Sequence, residues 1–171
     1  MRKLNGIMKF GLFIVFVVLL ASCKKEDDPN AAYTPQREAN MIKEWLAFVK
    51  TEKVQLDSTA TGIYYIADTV KVGSGPTVKA GDEVTVKYVG MFLDGTIFDA
   101  SAYHNATDGT YEYVHKTDRM VQGWEEGIEI LKKGGSAIFL LPSSKAYGIR
   151  GYDLIPPYTP LIFSIEVVDI K

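Results

Sequence analysis

Apolar and polar residues alternate with two different periods along this chain, and the change of period divides it. Phe10 to Leu20 is an unbroken apolar run of eleven residues. That is too short for a membrane-spanning helix, which needs about 20, but it suits the hydrophobic stretch of a secretory signal. Asp28 to Gln36, with Pro29, Asn30 and Pro35, shows no period and predicts a tether. From Glu38 to about Lys53 the helical period takes over. Ile42, Trp45, Leu46 and Val49 fall at i, i+3, i+4 and i+7, with Lys43, Glu44 and Lys50 among them. One amphipathic helix is predicted, whose stripe docks on the chain's own body or on a second copy.

Beyond the turn-forming Ser58-Thr59-Ala60-Thr61-Gly62, strand patterns dominate. Strands are predicted at Ile63 to Ile66 and Val70 to Val72, followed by a turn at Gly73-Ser74-Gly75-Pro76. In Glu83 to Tyr88, residues Val84, Val86 and Tyr88 share one face, with Thr85 and Lys87 on the other. Asp94-Gly95 between apolar runs predicts a hairpin, because both residues accept positive φ. Further strands are predicted at Tyr111 to Val114, Ala137 to Leu141 (stopped by Pro142) and Leu161 to Ile170. Glu125 to Lys132 reads as a short helix ended near Gly134-Gly135. The expected fold class is α+β, an antiparallel sheet wrapped around a short α-helix, preceded by the amphipathic helix.

Composition narrows the chemistry. The 171 residues, 47% hydrophobic and 23% charged, suffice for one globular domain with a short extension. The formal charge is −2, yet Arg2, Lys3 and Lys9 are the only charges in the first 22 residues, so the remainder sums to −5. A mildly acidic body without massed cations argues against a nucleic-acid partner. Cys23 is the only cysteine, which excludes an internal disulfide and a multi-cysteine metal site. His104 lies in a polar loop with Asn105 and Asp108, and its spacing to His115 fits no metal-ligand motif. Glu125 and Glu126, about 100° apart on a helix, cannot act jointly on one bond. No phosphate-cradling loop or nucleophile elbow is present. No cofactor and no metal are expected.

The amino end is an address. Cations, the apolar run and Leu20-Ala21-Ser22-Cys23 follow in the order of a bacterial lipobox, which this segment resembles. That resemblance implies cleavage before Cys23 and lipidation of its thiol. Acyl chains contribute about 0.8 kcal/mol per buried CH₂, enough in combination to hold a protein on a membrane. Lys24-Lys25-Glu26-Asp27-Asp28 is a solvated spacer, or resembles the signal that sends some lipoproteins to the cell surface. The expected location is the cell envelope, lipid-anchored to the outer membrane, on its periplasmic face or at the surface.

The chemistry-bearing pattern is spread over the second half of the chain. Tyr88-Val89-Gly90, Phe98-Asp99, Val121-Gln122-Gly123-Trp124-Glu125-Glu126-Gly127, Ala146-Tyr147-Gly148 and Leu154-Ile155-Pro156-Pro157 occur in that order. Together they resemble the FKBP-type peptidyl-prolyl cis-trans isomerases (rotamases), over about Val72 to Lys171. The resemblance implies an FKBP-like domain with a proline pocket formed by Tyr88, Phe98, Asp99, Tyr111, Met120, Val121, Trp124, Tyr147, Ile155 and Phe163. Trp124 would be its floor, and Tyr88, Phe98 and Phe163 its walls. The Val121 N–H and Tyr147 hydroxyl would donate to substrate carbonyls, with Asp99 at the rim beside Tyr88. Tyr88, Phe98, Asp99, Trp124, Tyr147 and Phe163 are the expected catalytic set. Tyr111, Met120, Val121 and Ile155 are the expected substrate-binding set. Tyr111 stands where the family often has Phe, and Met120 where a β-branched residue is common.

The domain organisation expected is a lipoprotein signal peptide at 1–22, a tether at 23–37, a helix and linker at 38–62 and the isomerase domain at 63–171. The partners implied are proline-containing polypeptides assisted in folding after export, the membrane through Cys23, and tacrolimus-type macrolides. Two other readings use the same residues: a proline-peptide binding module or chaperone with little turnover, and an envelope scaffold acting through the Trp45 helix.

Overall fold

A computed structural model describes residues 32–52, 55–66 and 73–171. The predicted signal segment, Cys23, most of the tether and the Val70–Val72 strand lie outside these residues.

The first element is helix α1, Pro35–Thr51. It begins three residues before the periodic stripe because Thr34 and Pro35 form its start. The Thr34 hydroxyl accepts from Arg37 N–H at 3.2 Å, and Pro35 occupies the first turn. A Thr-Pro pair that reads as tether punctuation is thus a helix cap, since proline lacks only an N–H that the first turn leaves unused. Val49 is buried on this helix, and Met41, Ile42, Trp45 and Leu46 are half-buried beside it.

The strands follow as β1 Leu56–Ser58, β2 Tyr64–Ile66, β3 Ser74–Thr77, β4 Glu83–Met91 and β5 Ile97–Ala100. After helix α2, Ser101–His104, come β6 Tyr111–Val114, helix α3 Gln122–Ile128, β7 Lys132–Lys133, β8 Ser136–Leu141 and β9 Leu161–Ile170. Among the described residues the main sheet runs β1-β2-β8-β9-β4-β5, with β6 also on β4, and every pairing is antiparallel. β6 pairs with Glu83–Val86, and β5 with Val89–Met91, so two strands share one edge of β4 in succession. The class is therefore α+β, an antiparallel sheet with a short helix against it.

Alternation sets the inner face. Val84, Val86 and Tyr88 of β4, Ala137, Phe139 and Leu141 of β8, and Leu161, Phe163, Ile165 and Val167 of β9 all enter one core. Trp124 and Ile128 of α3 fill it from the other side. α3 can come close because it presents glycines there. A Cβ at Gly123 would stand 2.7 Å from Leu141 Cδ2, and one at Gly127 3.2 Å from Phe139 Cε1. Gly127 lies one turn after Gly123, so a bare helical face meets the β8 side chains.

Two local expectations are corrected. Gly73-Ser74-Gly75-Pro76 is not a turn. Ser74–Thr77 pairs with β7 through an irregular register, which the positive φ of Gly73 and Gly75 accommodates. The helix expected at Glu125 to Lys132 starts earlier, at Gln122, and ends at Ile128. Ile130 and Leu131 N–H close a tight turn onto Gly127 and Ile128 carbonyls, and Lys132–Lys133 pass into β7. Cations that suit a helix C-terminus are taken up by strand pairing instead. The Asp94-Gly95 turn does join β4 to β5, with Gly95 at φ 87°.

Candidate active site

β4, β5, α3 and the segment after β8 converge on a cavity of about 540 Å³. Trp124, 2% exposed, lies at its base. The indole N–H donates to the Tyr113 hydroxyl at 3.0 Å, so the ring is held from beneath and its polar atom is satisfied. Tyr88 and Phe163 meet Trp124 edge to face, at centroid distances of 5.0 and 5.6 Å and interplanar angles of 88°. Tyr111 stands edge-on to Tyr88 at 6.0 Å. A ring positive at its edge and negative on its face favours this arrangement, which leaves an apolar cup with fixed walls.

The polar rim is built around one carboxylate. Asp99 Oδ2 accepts from the Tyr88 hydroxyl at 2.7 Å, and Oδ1 accepts from Ala100 N–H at 2.8 Å. His104 Nε2 lies 3.0 Å from Oδ1. α2 makes this possible, because its single turn carries His104 from a loop position back over β5. The acid that follows Phe98 is thus paired on both oxygens, as a half-buried carboxylate requires. Burial, and then the hydrogen bond to Asp99, raise the Tyr88 hydroxyl well above the usual phenol range. Tyr88 therefore remains a donor. Tyr147 is raised by burial as well, with Asp99 and Tyr152 acting in the same direction.

Eight of the ten pocket residues expected from the sequence line the cavity: Tyr88, Asp99, Tyr111, Met120, Val121, Trp124, Tyr147 and Phe163. Phe98 and Ile155 do not. Phe98 stands behind the wall, edge-on to Phe163 at 5.7 Å and against Phe92 at 5.3 Å. Ile155 is buried in the core, and its main chain bridges to Tyr152. His104, Arg119, Gln122, Ala146 and Tyr152 line the cavity in addition. Gln122 and Ala146 belong to the quoted motifs, so their positions were within reach of the sequence. His104 carries no periodic signal, because a single helical turn after a strand has none. Tyr152 stacks on Tyr147 at 5.3 Å and 14°, in a segment where Gly151 and Asp153 both have positive φ.

Comparison with known proteins gives this geometry a family. The family profile described as FKBP-type peptidyl-prolyl cis-trans isomerase matches residues 75–168. The chain belongs to the FKBP-type peptidyl-prolyl cis-trans isomerases. It is similar to the probable FKBP-type peptidyl-prolyl cis-trans isomerase FkpA of Neisseria meningitidis serogroup B, 36% identical over 127 residues, covering 72% of this chain and 44% of that protein. It is similar to FkpA of Escherichia coli K12 to the same degree, 36% over 124 residues, covering 72% and 43%. The crystal structure of Escherichia coli FkpA superposes with a TM-score of 0.67 at 31% identity, covering 80% of this chain and 60% of that one. The chain thus spans less than half the length of these two FkpA relatives. Each segment that carried the resemblance falls within or at the edge of the FKBP-matched stretch. No group of three or more metal-ligating side chains occurs among the described residues.

Proposed function

We propose that this FKBP-type chain catalyses cis–trans rotation about Xaa–Pro peptide bonds and assists the folding of exported proteins in the cell envelope. The observation that carries the reading is the cup itself: Trp124 below, Tyr88 and Phe163 as walls, and a rim of Asp99 and Tyr147.

The physical task fits such a cup. An amide is planar through conjugation, rotation costs about 18–20 kcal/mol, and an unaided prolyl bond takes tens to hundreds of seconds to exchange. At the twisted midpoint the amide is less polar than in its planar ground state. A dry aromatic surround disfavours the planar, well-solvated form and holds the proline ring while the preceding carbonyl swings. Every 1.4 kcal/mol of that preference is about tenfold in rate. Proton transfer is not needed. Asp99 and Tyr147 orient the peptide, and the Val121 N–H and Tyr147 hydroxyl donate to its carbonyls. Tacrolimus-type macrolides are candidate occupants of the same cup.

The envelope location rests on the sequence from Arg2 to Cys23. Among the described residues no helix is long and apolar enough to cross a membrane. Lipidation of Cys23 is the anchor proposed, at the outer membrane.

A protease-coupled assay of the purified chain on a Xaa–Pro peptide tests the activity. Exchange accelerated over buffer, and slowed by Trp124→Ala, is expected; a rate equal to buffer refutes catalysis, and peptide binding without acceleration favours a binding module. Metabolic labelling with a fatty acid, abolished by Cys23→Ser, tests the anchor.

A further inference from the structure

Ser143 is the hub of the turn that presents Tyr147 to the cavity. It follows β8 and Pro142, opens the 3₁₀ turn Ser143–Lys145, and is 3% exposed. Its carbonyl accepts from two N–H groups, Ala146 at 2.9 Å and Gly148 at 2.8 Å. These are the amides on either side of Tyr147. Both N–H groups flanking Tyr147 therefore share one acceptor, while the Gly148 carbonyl accepts from Tyr158 N–H at 3.0 Å.

Ser143 is held in turn from a distant part of the chain. Its N–H donates to Glu38 Oε1 at 2.5 Å, and its hydroxyl to Oε2 at 2.7 Å. Both carboxylate oxygens are engaged, and both donors belong to one residue. Such charge-assisted bonds are about twice as strong as neutral ones, and a two-point grip also fixes orientation. Glu38 belongs to α1, 105 residues away in sequence and outside the stretch 75–168 that the family profile matches. The far side of the same turn is pinned to α3, where Lys145 Nζ donates to Glu126 Oε1 at 2.9 Å. α3 carries Trp124. The turn is thus clamped between the cavity's base and a helix that is not part of the matched family stretch.

We infer that Glu38 is a positioning residue for the cavity, acting through Ser143 to set the orientation of Tyr147. α1 is then a working part of the site. With Glu38 removed, the turn keeps only its Lys145–Glu126 anchor, and the bonds from Ala146 and Gly148 N–H to Ser143 open more often. Tyr147 would sample orientations that do not meet the peptide carbonyl. The inference rests on the prolyl-isomerase reading for its kinetic consequence and on geometry alone for its structural one.

The experiment uses the full chain with Glu38→Ala, Glu38→Gln, Tyr147→Ala and the double variant Glu38→Ala/Tyr147→Ala. Two readouts are taken on each. For prolyl-peptide turnover, Glu38→Ala is expected to lower kcat/KM about five- to tenfold. Glu38→Gln, which keeps one acceptor oxygen, should fall between. In the Tyr147→Ala background the Glu38 substitution should cost nothing more, because the group it positions is gone. Equal losses in both backgrounds, or no loss in either, overturn the inference. The second readout is amide hydrogen exchange, which needs no catalysis. Glu38→Ala is expected to speed exchange at Ala146 and Gly148 at least tenfold while the amides of β4 and β9 are unchanged. Unchanged exchange at Ala146 and Gly148 also overturns it. A wild-type chain without turnover would count against the isomerase reading, and exchange would still decide the role of Glu38.

Discussion

The Tyr88 hydroxyl donates to Asp99 Oδ2 over 2.7 Å, which joins the wall of the aromatic cup to the acid at its rim. The partners sit on neighbouring strands, since β5 pairs with β4 and places Asp99 opposite Gly90. Tyr88→Phe keeps the ring and its edge-on contact with Trp124 but removes the donor. Stability should fall by about 1–2 kcal/mol, the usual effect of losing one partner of a half-buried hydrogen bond. kcat/KM should fall several-fold because Asp99 loses one of its restraints. Urea titration and the prolyl-peptide assay check both, and an unchanged kcat/KM would show that Asp99 needs no help from Tyr88.

Gly90 is where the wall is least forgiving. A Cβ there would stand 2.7 Å from Phe98 Cζ and 3.0 Å from Phe163 Cε1. Gly90→Ala should therefore cost about 1–3 kcal/mol, as overpacking of a filled interior does. Because Phe163 lines the cavity and Phe98 backs it, activity should fall with stability. Thermal unfolding and kinetics on the same preparation test the coupling.

Alkaline pH should weaken the fold through Tyr113. Burial pushes its hydroxyl up to about 12 despite the opposing hydrogen bond from Trp124, with Glu125 and Tyr111 adding to the rise. An unfolded tyrosine ionises near 10, so between these values the folded chain keeps a proton that the unfolded chain releases. Stability from this group is then fully present below pH 10 and is lost as pH climbs toward 12. The shift corresponds to about 3 kcal/mol. Urea titrations at pH 9, 10 and 11 should give falling stability, with a shallower decline for Tyr113→Phe; parallel declines would contradict the assignment.

Tyr152 is 67% exposed, lines the cavity and stacks on Tyr147. Tyr152→Ala should raise KM a few-fold while shifting stability by no more than about 0.5 kcal/mol, as expected for an exposed position. A drop in kcat at unchanged KM would assign it a different role.

Much of the sheet was legible because one face of each strand is buried. Val84, Val86 and Tyr88 alternate with Thr85 and Lys87, and Phe163, Ile165 and Val167 with Ser164 and Glu166, a period that is visible without the partners. Ser74–Thr77 and Lys132–Lys133 were not legible as strands, because each finds its strand pairing only in the other. The start of α3 was missed because Val121 offers no capping side chain and Gly123, a poor helix former, is there for closeness to Leu141.

What the residues by themselves determined about this protein is its class, its family and eight of the side chains around the cavity. Those follow from local periods and ordered motifs, which need no partner to be recognised. Only the tertiary structure decided that Phe98 stands behind the cup, that His104 returns to Asp99, and that Glu38 reaches Ser143 across 105 residues. Such placements depend on where elements come to rest against one another. A carboxylate on a helix surface reads as solvated until the donor that meets it has been brought alongside.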